Sequence, residues 1–301
     1  MPPFDVLGFG EHSIDEIYRL PTLPRDGAST KIPIITHARR PGGQVATTLS
    51  ACAALGLRAA YAGAFGDDEN SRVIRDALAG AGVDVASCIV RRGKGRYAVI
   101  LVEERTGERV VLWHKDPAVA LRPEDITPAM VSAARLVHVD AVDIDASLHA
   151  ARLAREAGVP VTSDIDAVLD GTWDLLDAVS VPILAERAAQ QLTGEADLER
   201  ALRRIRQQQA GLLCATCGER GSVLLAGDRF HQQPAFSVPA VDTTGAGDVF
   251  RAGFIYALLR GDPPDAMLRF ANAAAALSCT REGALGSVPT LEEVERLIGA
   301  G

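Results

Sequence analysis

The chain has 301 residues, 48% of them hydrophobic and only 5% aromatic, enough to bury a large core within one domain. Its formal net charge of -8 excludes nucleic acid as a bulk partner, because phosphate backbones select basic surfaces. No run of 18 apolar residues and no basic-then-hydrophobic leader is seen, so membrane partners and export are not expected.

Asp5 to Gly10 reads as the first strand. Its Gly8-Phe9-Gly10 invites a dinucleotide-binding reading, but Ser13 stands where the third glycine belongs. Ile14 to Leu20 then alternates like a strand instead of opening a helix, and Pro21 and Pro24 follow. Residues 28–37 read as extended, and Pro41-Gly42-Gly43 as a break before a small-residue helix, Gln44 to Leu55, ended by Gly56. Next come strand 58–64, helix 69–80, strand 86–91, and a hairpin pairing about 96–103 with 108–114 across Glu104 to Gly107. Strand 136–140, helix 146–157, strands 159–163 and 178–181, helices 185–192 and 195–209, and strands 211–216 and 222–226 continue the alternation. Helices at 263–280 and 290–298 close the chain. Repeated β–α units predict an α/β, three-layer fold: a mainly parallel sheet with helices on both faces. The early strands and the hairpin do not fit that pattern. They predict a separate small β-sheet, a lid of about 11–37 and 96–114 inserted in a single 1–301 domain.

The most informative segment is Val241-Asp242-Thr243-Thr244-Gly245-Ala246-Gly247-Asp248-Val249-Phe250. Two glycines let a backbone pass close to a ligand, and the helix-spaced Phe250, Phe254, Ala257 and Leu258 follow at once. That is a loop feeding a helix N-terminus, where unpaired N–H groups and the positive dipole end attract an anion. Asp248 sits in the first turn; taken alone, it is either a favourable first-turn acid or a working carboxylate. The whole string resembles the Asp-Thr-x-Gly-Ala-Gly-Asp-x-Phe signature of the ribokinase-like (PfkB) carbohydrate kinases. There is no Walker A motif and no kinase-type His-Arg-Asp loop.

The resemblance runs from Asp15 to Ser287 with motifs in the family's order, and implies roles position by position. Gly245, Ala246 and Gly247 would form the anion hole, and Asp248 would be the base that takes the acceptor proton. Gly42 and Gly43 would contact the sugar together with Asp15, and Thr47 stands where the family usually has Asn. Gly63 to Asp68 matches a further family segment and reads as a turn and helix cap. Thr216, Gly218 and Gly221 look like the family's nucleotide loop, and Asn272 matches a position near the adenine. Asp242, Thr244, Gly283 and Ser287 would hold a monovalent cation, with K+ as the candidate. Many members carry Asn-x-x-Glu for Mg2+; here Glu186 is kept and Ile183 replaces the Asn, so Glu186 is either a metal partner or a first-turn acid. Mg2+ is expected to arrive with ATP, held mostly by phosphates and water.

Cys214-Ala215-Thr216-Cys217 has metal or redox spacing, but no second pair accompanies it, so Cys52, Cys88, Cys214, Cys217 and Cys279 read as core thiols in a reducing, cytoplasmic setting. The histidines show no ligand spacing, although His12 and His114 fall on the expected lid. The expectation is an ATP-dependent kinase acting on a primary hydroxyl of a small sugar such as ribose, fructose or a related ketose. It competes with a nucleoside kinase of the same fold, for which the lid offers only Tyr18, Tyr97 and Trp113, and with a non-catalytic sugar-binding or regulatory protein. An apolar lid face would be covered by a second copy, making a homodimer.

Overall fold

The computed structural model describes residues 2–25, 31–207 and 211–300. Residues 26–30 of the expected lid, which include the start of the 28–37 stretch, and the end of the expected 195–209 helix lie outside the described residues. The chain opens with β1 (Val6–Phe9), β2 (Ser13–Leu20) and β3 (Thr36–Gly42), then α1 (Gln44–Ala54), β4 (Ala59–Tyr61), β5 (Ala64–Phe65) and α2 (Glu69–Gly80). β6 (Ile89–Val90), β7 (Tyr97–Glu103), β8 (Arg109–His114), α3 (Pro128–Ser132), β9 (Val137–Asp140), α4 (Ile144–Glu156), β10 (Val161–Asp164) and α5 (Thr172–Ala178) follow. The second half is β11 (Ile183–Ala185), α6 (Glu186–Thr193), α7 (Leu198–Arg206), β12 (Leu213–Thr216), β13 (Ser222–Ala226), β14 (Arg229–Gln233), α8 (Ala246–Arg260), α9 (Pro264–Ser278) and α10 (Leu291–Ala300).

β10, β9, β1 and β4 form a parallel sheet, and β11 runs parallel to β12, with β13 and β14 added antiparallel. The two sheets join between β10 and β11, where Ile165 donates to the Ile183 carbonyl at 3.1 Å and Ala185 donates to Ile165 at 2.9 Å. Successive side chains of a strand face opposite sides, and the two cores follow that alternation. Val6, Ile183, Cys214 and Leu224 enter the layer with α1, α8 and α9, while Leu7, Phe9, Leu184, Leu213 and Leu225 enter the one with α4, α6 and α7. Helices on both faces of a mostly parallel sheet are the predicted architecture.

β3, β2, β7 and β8 form a separate four-stranded sheet, with β2 parallel to β7 and the other pairs antiparallel. All six residues of β8 are exposed. Several sequence expectations shift. Pro41 and Gly42 do not break the chain; they end β3, opposite Ile14 and Ser13 of β2. The expected strand at 178–181 is displaced because α5 occupies residues up to Ala178, and only Val181 touches the sheet before β11. The strands expected at 58–64 and 86–91 shorten to β4, β5 and β6, while α3, α5 and β14 had no strong periodic signal. α2 matches its expected range because Asp68 caps it, accepting from Ser71 N–H at 3.1 Å.

Candidate active site

The helices that bracket the site begin at glycines. Gly43 is the N-cap of α1 with φ 99°, and a Cβ there would lie 2.4 Å from the His12 Cα, so no L side chain fits. Gly245 is the N-cap of α8 with φ 77°; a Cβ would meet Ala284 Cα and Cβ at 3.0 Å and Thr47 Cγ2 at 3.4 Å. Thr48 Oγ1 donates to the Asp248 carbonyl at 3.1 Å, tying α1 to the first turn of α8. α8 has no side-chain cap; the Ala246 N–H donates to the Thr243 carbonyl at 3.3 Å, which leaves the next amides of the first turn to face an external acceptor.

The carboxylates converge from the C-terminal ends of parallel strands, the usual site of ligand crevices in α/β sheets. Asp140 ends β9, Asp164 ends β10, and Glu11 follows β1, its N–H donating to Asp140 Oδ2 at 2.6 Å. Burial pushes Asp248 well above the ordinary carboxylate range; the neighbouring Asp164 adds to the rise and Arg251 opposes it. Burial, then the Asp140 charge, raises Glu11 to about 7. Asp140 itself is raised by burial to about 6, against N–H groups of Glu11 and Val142 that favour its charged form. Asp15 is also pushed up by burial while accepting from Ser13 Oγ at 2.9 Å, and a Cβ on Gly42 would lie 2.6 Å from its Oδ2. Asp15, Gly42 and Gly43 are therefore adjacent, as the motif order implied. Thr47 sits close to them but its Oγ1 is fully buried without a protein partner.

His12 does not lie open on the small sheet. It is 1% exposed, and because Tyr61 Oη donates to the Gly10 carbonyl at 2.6 Å, the imidazole Nδ1 donates to Tyr61 at 2.8 Å. Burial, helped by Arg96, pulls its pKa down to about 3, so the ring is neutral and structural. His114 lies on β8 beside Tyr97.

Asp242 and Gly283 are brought into direct contact. Burial raises the Asp242 carboxyl, but N–H donors from Gly283 at 3.0 Å and Thr244 at 2.9 Å outweigh it and hold it below its ordinary value. Ser287 is fully buried and its hydroxyl donates to the Ala284 carbonyl at 2.9 Å.

On the other side, β12 ends at Thr216, whose hydroxyl points back to the Leu184 carbonyl at 3.5 Å, and a short turn spans Gly218 to Arg220. A Cβ on Gly221 would lie 2.1 Å from the Gln233 carbonyl oxygen, so this glycine serves the approach of the segment after β14. Asn272 is revised more sharply. Its Oδ1 accepts from Ser222 at 2.9 Å and its Nδ2 donates to the Gln233 and Pro234 carbonyls at 3.1 Å, so its amide clamps protein to protein. Glu186 is engaged by Arg220 and, at 3.4 Å, by Gln190 Nε2. Ile183 is buried in the core and presents nothing to a metal. This donor set fits a bound Mg2+ poorly, and phosphate and water oxygens would have to supply the ligands.

Cys214 is a buried core thiol, Cys217 is half-buried, and burial raises the pKa of Cys217 to about 11, leaving it unreactive. The sequence reading missed Glu11, Asp140, Asp164 and Arg251. A signal existed in Val137-His138-Val139-Asp140 and Val161-Thr162-Ser163-Asp164, where a carboxylate closes an otherwise buried strand. No helix among the described residues is long and apolar enough to cross a membrane.

Comparison with known proteins points the same way as the geometry. The profile of the pfkB family carbohydrate kinases matches residues 10–291. The chain is 29% identical to fructokinase-1 of Zea mays over 97% of each chain. It is 32% identical to the ATP-dependent ribose-1-phosphate kinase of Halopiger xanaduensis over 96% of each. Among solved structures it superposes on Arabidopsis thaliana ribokinase complexed with ribose and ATP with a TM-score of 0.87 and 25% identity, covering 99% of each chain.

Proposed function

The chain belongs to the pfkB family of carbohydrate kinases, and from that membership we propose that it transfers the γ-phosphoryl of ATP to a primary hydroxyl of a small sugar such as ribose, fructose or a related ketose. One observation carries the reading: a buried carboxyl, Asp248, stands in the first turn of a helix whose leading amides have no side-chain cap. Asp248 accepts the proton of the attacking hydroxyl, and the N–H groups of Gly245, Ala246 and Gly247 stabilise the charge that develops on the phosphoryl oxygens. Asp15, beside Gly42 and Gly43, accepts hydrogen bonds from sugar hydroxyls, a sound way to hold a polyol. Thr216 and Gly218 border the nucleotide, while Gly221 and Asn272 shape its wall. Mg2+ supplies charge neutralisation when bound with ATP. Asp242, ionised and joined to Gly283, is the anchor of the monovalent cation site, with Thr244 and Ser287 nearby and K+ as its ion. The five free thiols support a cytoplasmic setting.

A coupled assay of ATP turnover across pentoses, ketohexoses, sugar phosphates and nucleosides tests this reading, with one sugar expected to raise turnover far above the sugar-free rate. Run in potassium and in a bulky organic cation at equal ionic strength, it is expected to be faster in potassium. Turnover that no sugar stimulates, or that only nucleosides stimulate, sinks the proposal.

The small sheet supplies a further expectation. Val110, Val111 and Leu112 of β8 are exposed, with Ile34 and Ile35 just before β3, and Trp113 is 75% exposed. An uncovered apolar sheet with an open edge is normally buried by a partner. We therefore propose a homodimer through this sheet. Light scattering at micromolar concentration is expected to give twice the chain mass, and Trp113→Asp to give the monomer; a wild-type monomer rules the interface out.

A further inference from the structure

A second carboxyl stands behind Asp248. Asp164 and Arg251 form an ion pair with Nη2 and Oδ1 2.6 Å apart, their side chains 1% and 3% exposed respectively. Arg251 lies one turn beyond Asp248 on α8, and its Nη1 is 2.9 Å from where a Cβ on Gly247 would stand. The guanidinium thus lies against the Gly-Ala-Gly loop. Despite the ion pair, neither Asp164 oxygen has a hydrogen bond of good geometry, and Arg251 Nε has none. A buried carboxylate that lacks donors is costly. Asp248 is the neighbouring source of that donor: it sits one turn before Arg251 on α8, which packs against β10, and its carboxyl interacts with that of Asp164.

We propose that Asp164 and Asp248 share one proton in a carboxyl–carboxylate hydrogen bond with Arg251 as their buried counter-ion, making Asp164 and Arg251 positioning residues for proton acceptance by Asp248. The inference rests on Asp248 being the base in the reading above. With one proton, the two carboxyls and the guanidinium sum to zero charge. The working form places that proton on Asp164, leaving Asp248 ionised and oriented toward the acceptor. During transfer the acceptor O–H bond breaks, its proton bonds to Asp248, and the acceptor oxygen bonds to phosphorus as the leaving phosphate departs. The cluster then carries one positive charge directly beneath a phosphoryl gaining negative charge, which favours that moment of the reaction. Release of the proton to solvent restores the starting form. A pair this strongly coupled titrates as a unit, in two steps.

Other charges face the pair. The Glu11 charge adds to the rise of Asp248, and the Asp166 and Asp140 charges add to that of Asp164. Glu11 and Asp140 are raised to about 7 and about 6, so both are ionised at higher pH. Infrared spectroscopy of the unliganded protein at pH about 8 therefore isolates the shared proton from theirs. A protonated-carboxyl stretch is expected in the wild type at that pH and is expected to vanish in both Asp164→Asn and Asp248→Asn.

Kinetics supply the second readout. Arg251→Met removes the cation that opposes proton binding, so the acidic limb of kcat/KM against pH moves up by about one unit or more. Arg251→Lys keeps the charge and returns the limb to its wild-type place. Asp164→Asn donates the hydrogen bond that protonated Asp164 would, and keeps its acidic limb close to wild type. A merely structural pair would lower stability in Arg251→Met without moving the limb. Absence of the infrared band in the wild type, or its survival in both Asn variants, overturns the proposal whether or not Arg251→Met folds. An unmoved limb in folded Arg251→Met does the same. A protein that shows the band yet phosphorylates no sugar would instead refute the kinase reading.

Discussion

Asp248→Asn is expected to lower kcat by about 10²–10⁴-fold, the usual contribution of a general base. The amide keeps the size of the carboxyl but cannot accept the proton of the acceptor hydroxyl. ATP affinity is expected to hold, because the amides of the cradle belong to the backbone and stay in place. Stability separates this account from a purely structural one. If Asp248 only favoured the start of α8, its loss would cost about 0.3–1 kcal/mol and leave turnover intact. The environment of Asp248 argues the opposite, because burial and Asp164 raise its carboxyl well above the ordinary range. A carboxyl raised in the folded state contributes stability that is full at low pH and is lost as pH climbs through its folded value. A neutral amide carries no such loss, so above neutral pH the variant is expected to melt no lower than wild type. Melting temperature and kcat measured on one preparation decide the matter. A variant that melts lower and turns over at the wild-type rate would falsify the catalytic role.

Gly245→Ala is expected to remove both stability and turnover. The residue sits at φ 77°, and the added Cβ would lie 3.0 Å from Ala284 Cα and Cβ, where backbone cannot yield cheaply. A non-glycine residue in this conformation costs about 1–3 kcal/mol before the contact is counted. Relief requires the loop to move, which turns the leading amides of α8 away from the phosphoryl. Loss of one oxyanion-hole donor typically costs about 10²–10³ in kcat. Gly286→Ala is the control, since its Cβ would meet no atom within 4 Å and its φ is unstrained. The pair of substitutions adds the same methyl group in two places. Equal kcat in both variants would show that the Gly245 conformation is not needed for catalysis.

Much of this architecture was legible locally. α2 begins at Glu69 as expected because Asp68 is a cap that works through bonds three residues away. α8 begins at Ala246 because the glycine before it and the apolar run after it state the helix boundary in adjacent residues. The β7–β8 hairpin was likewise readable, since its turn and both strands are contiguous. Short elements were the ones that moved. α5 and β11 together span few residues, and Val179 and Val181 are as apolar as any strand, so only the packing of Leu175 and Leu176 into the core reveals the helix.

For the site, the glycine loop and the place of Asp248 in the first turn of α8 were legible in the sequence because they are one run of neighbouring residues, whereas the contact of Asp15 with Gly42 joins two separate strands. Tertiary structure decided which side chains are free to act there. Asn272 is spent on Ser222, Gln233 and Pro234, and Glu186 on Arg220, partners that chain order does not announce. Tertiary structure alone also brought Glu11, Asp140 and Asp164, from three strand ends far apart in the chain, to the first turns of α8 that carry Asp248 and Arg251. The reason is physical. A cap or a turn is settled by bonds spanning a few residues, whereas the charge state of a buried carboxyl depends on desolvation and on every charge the sheet brings within a few ångströms.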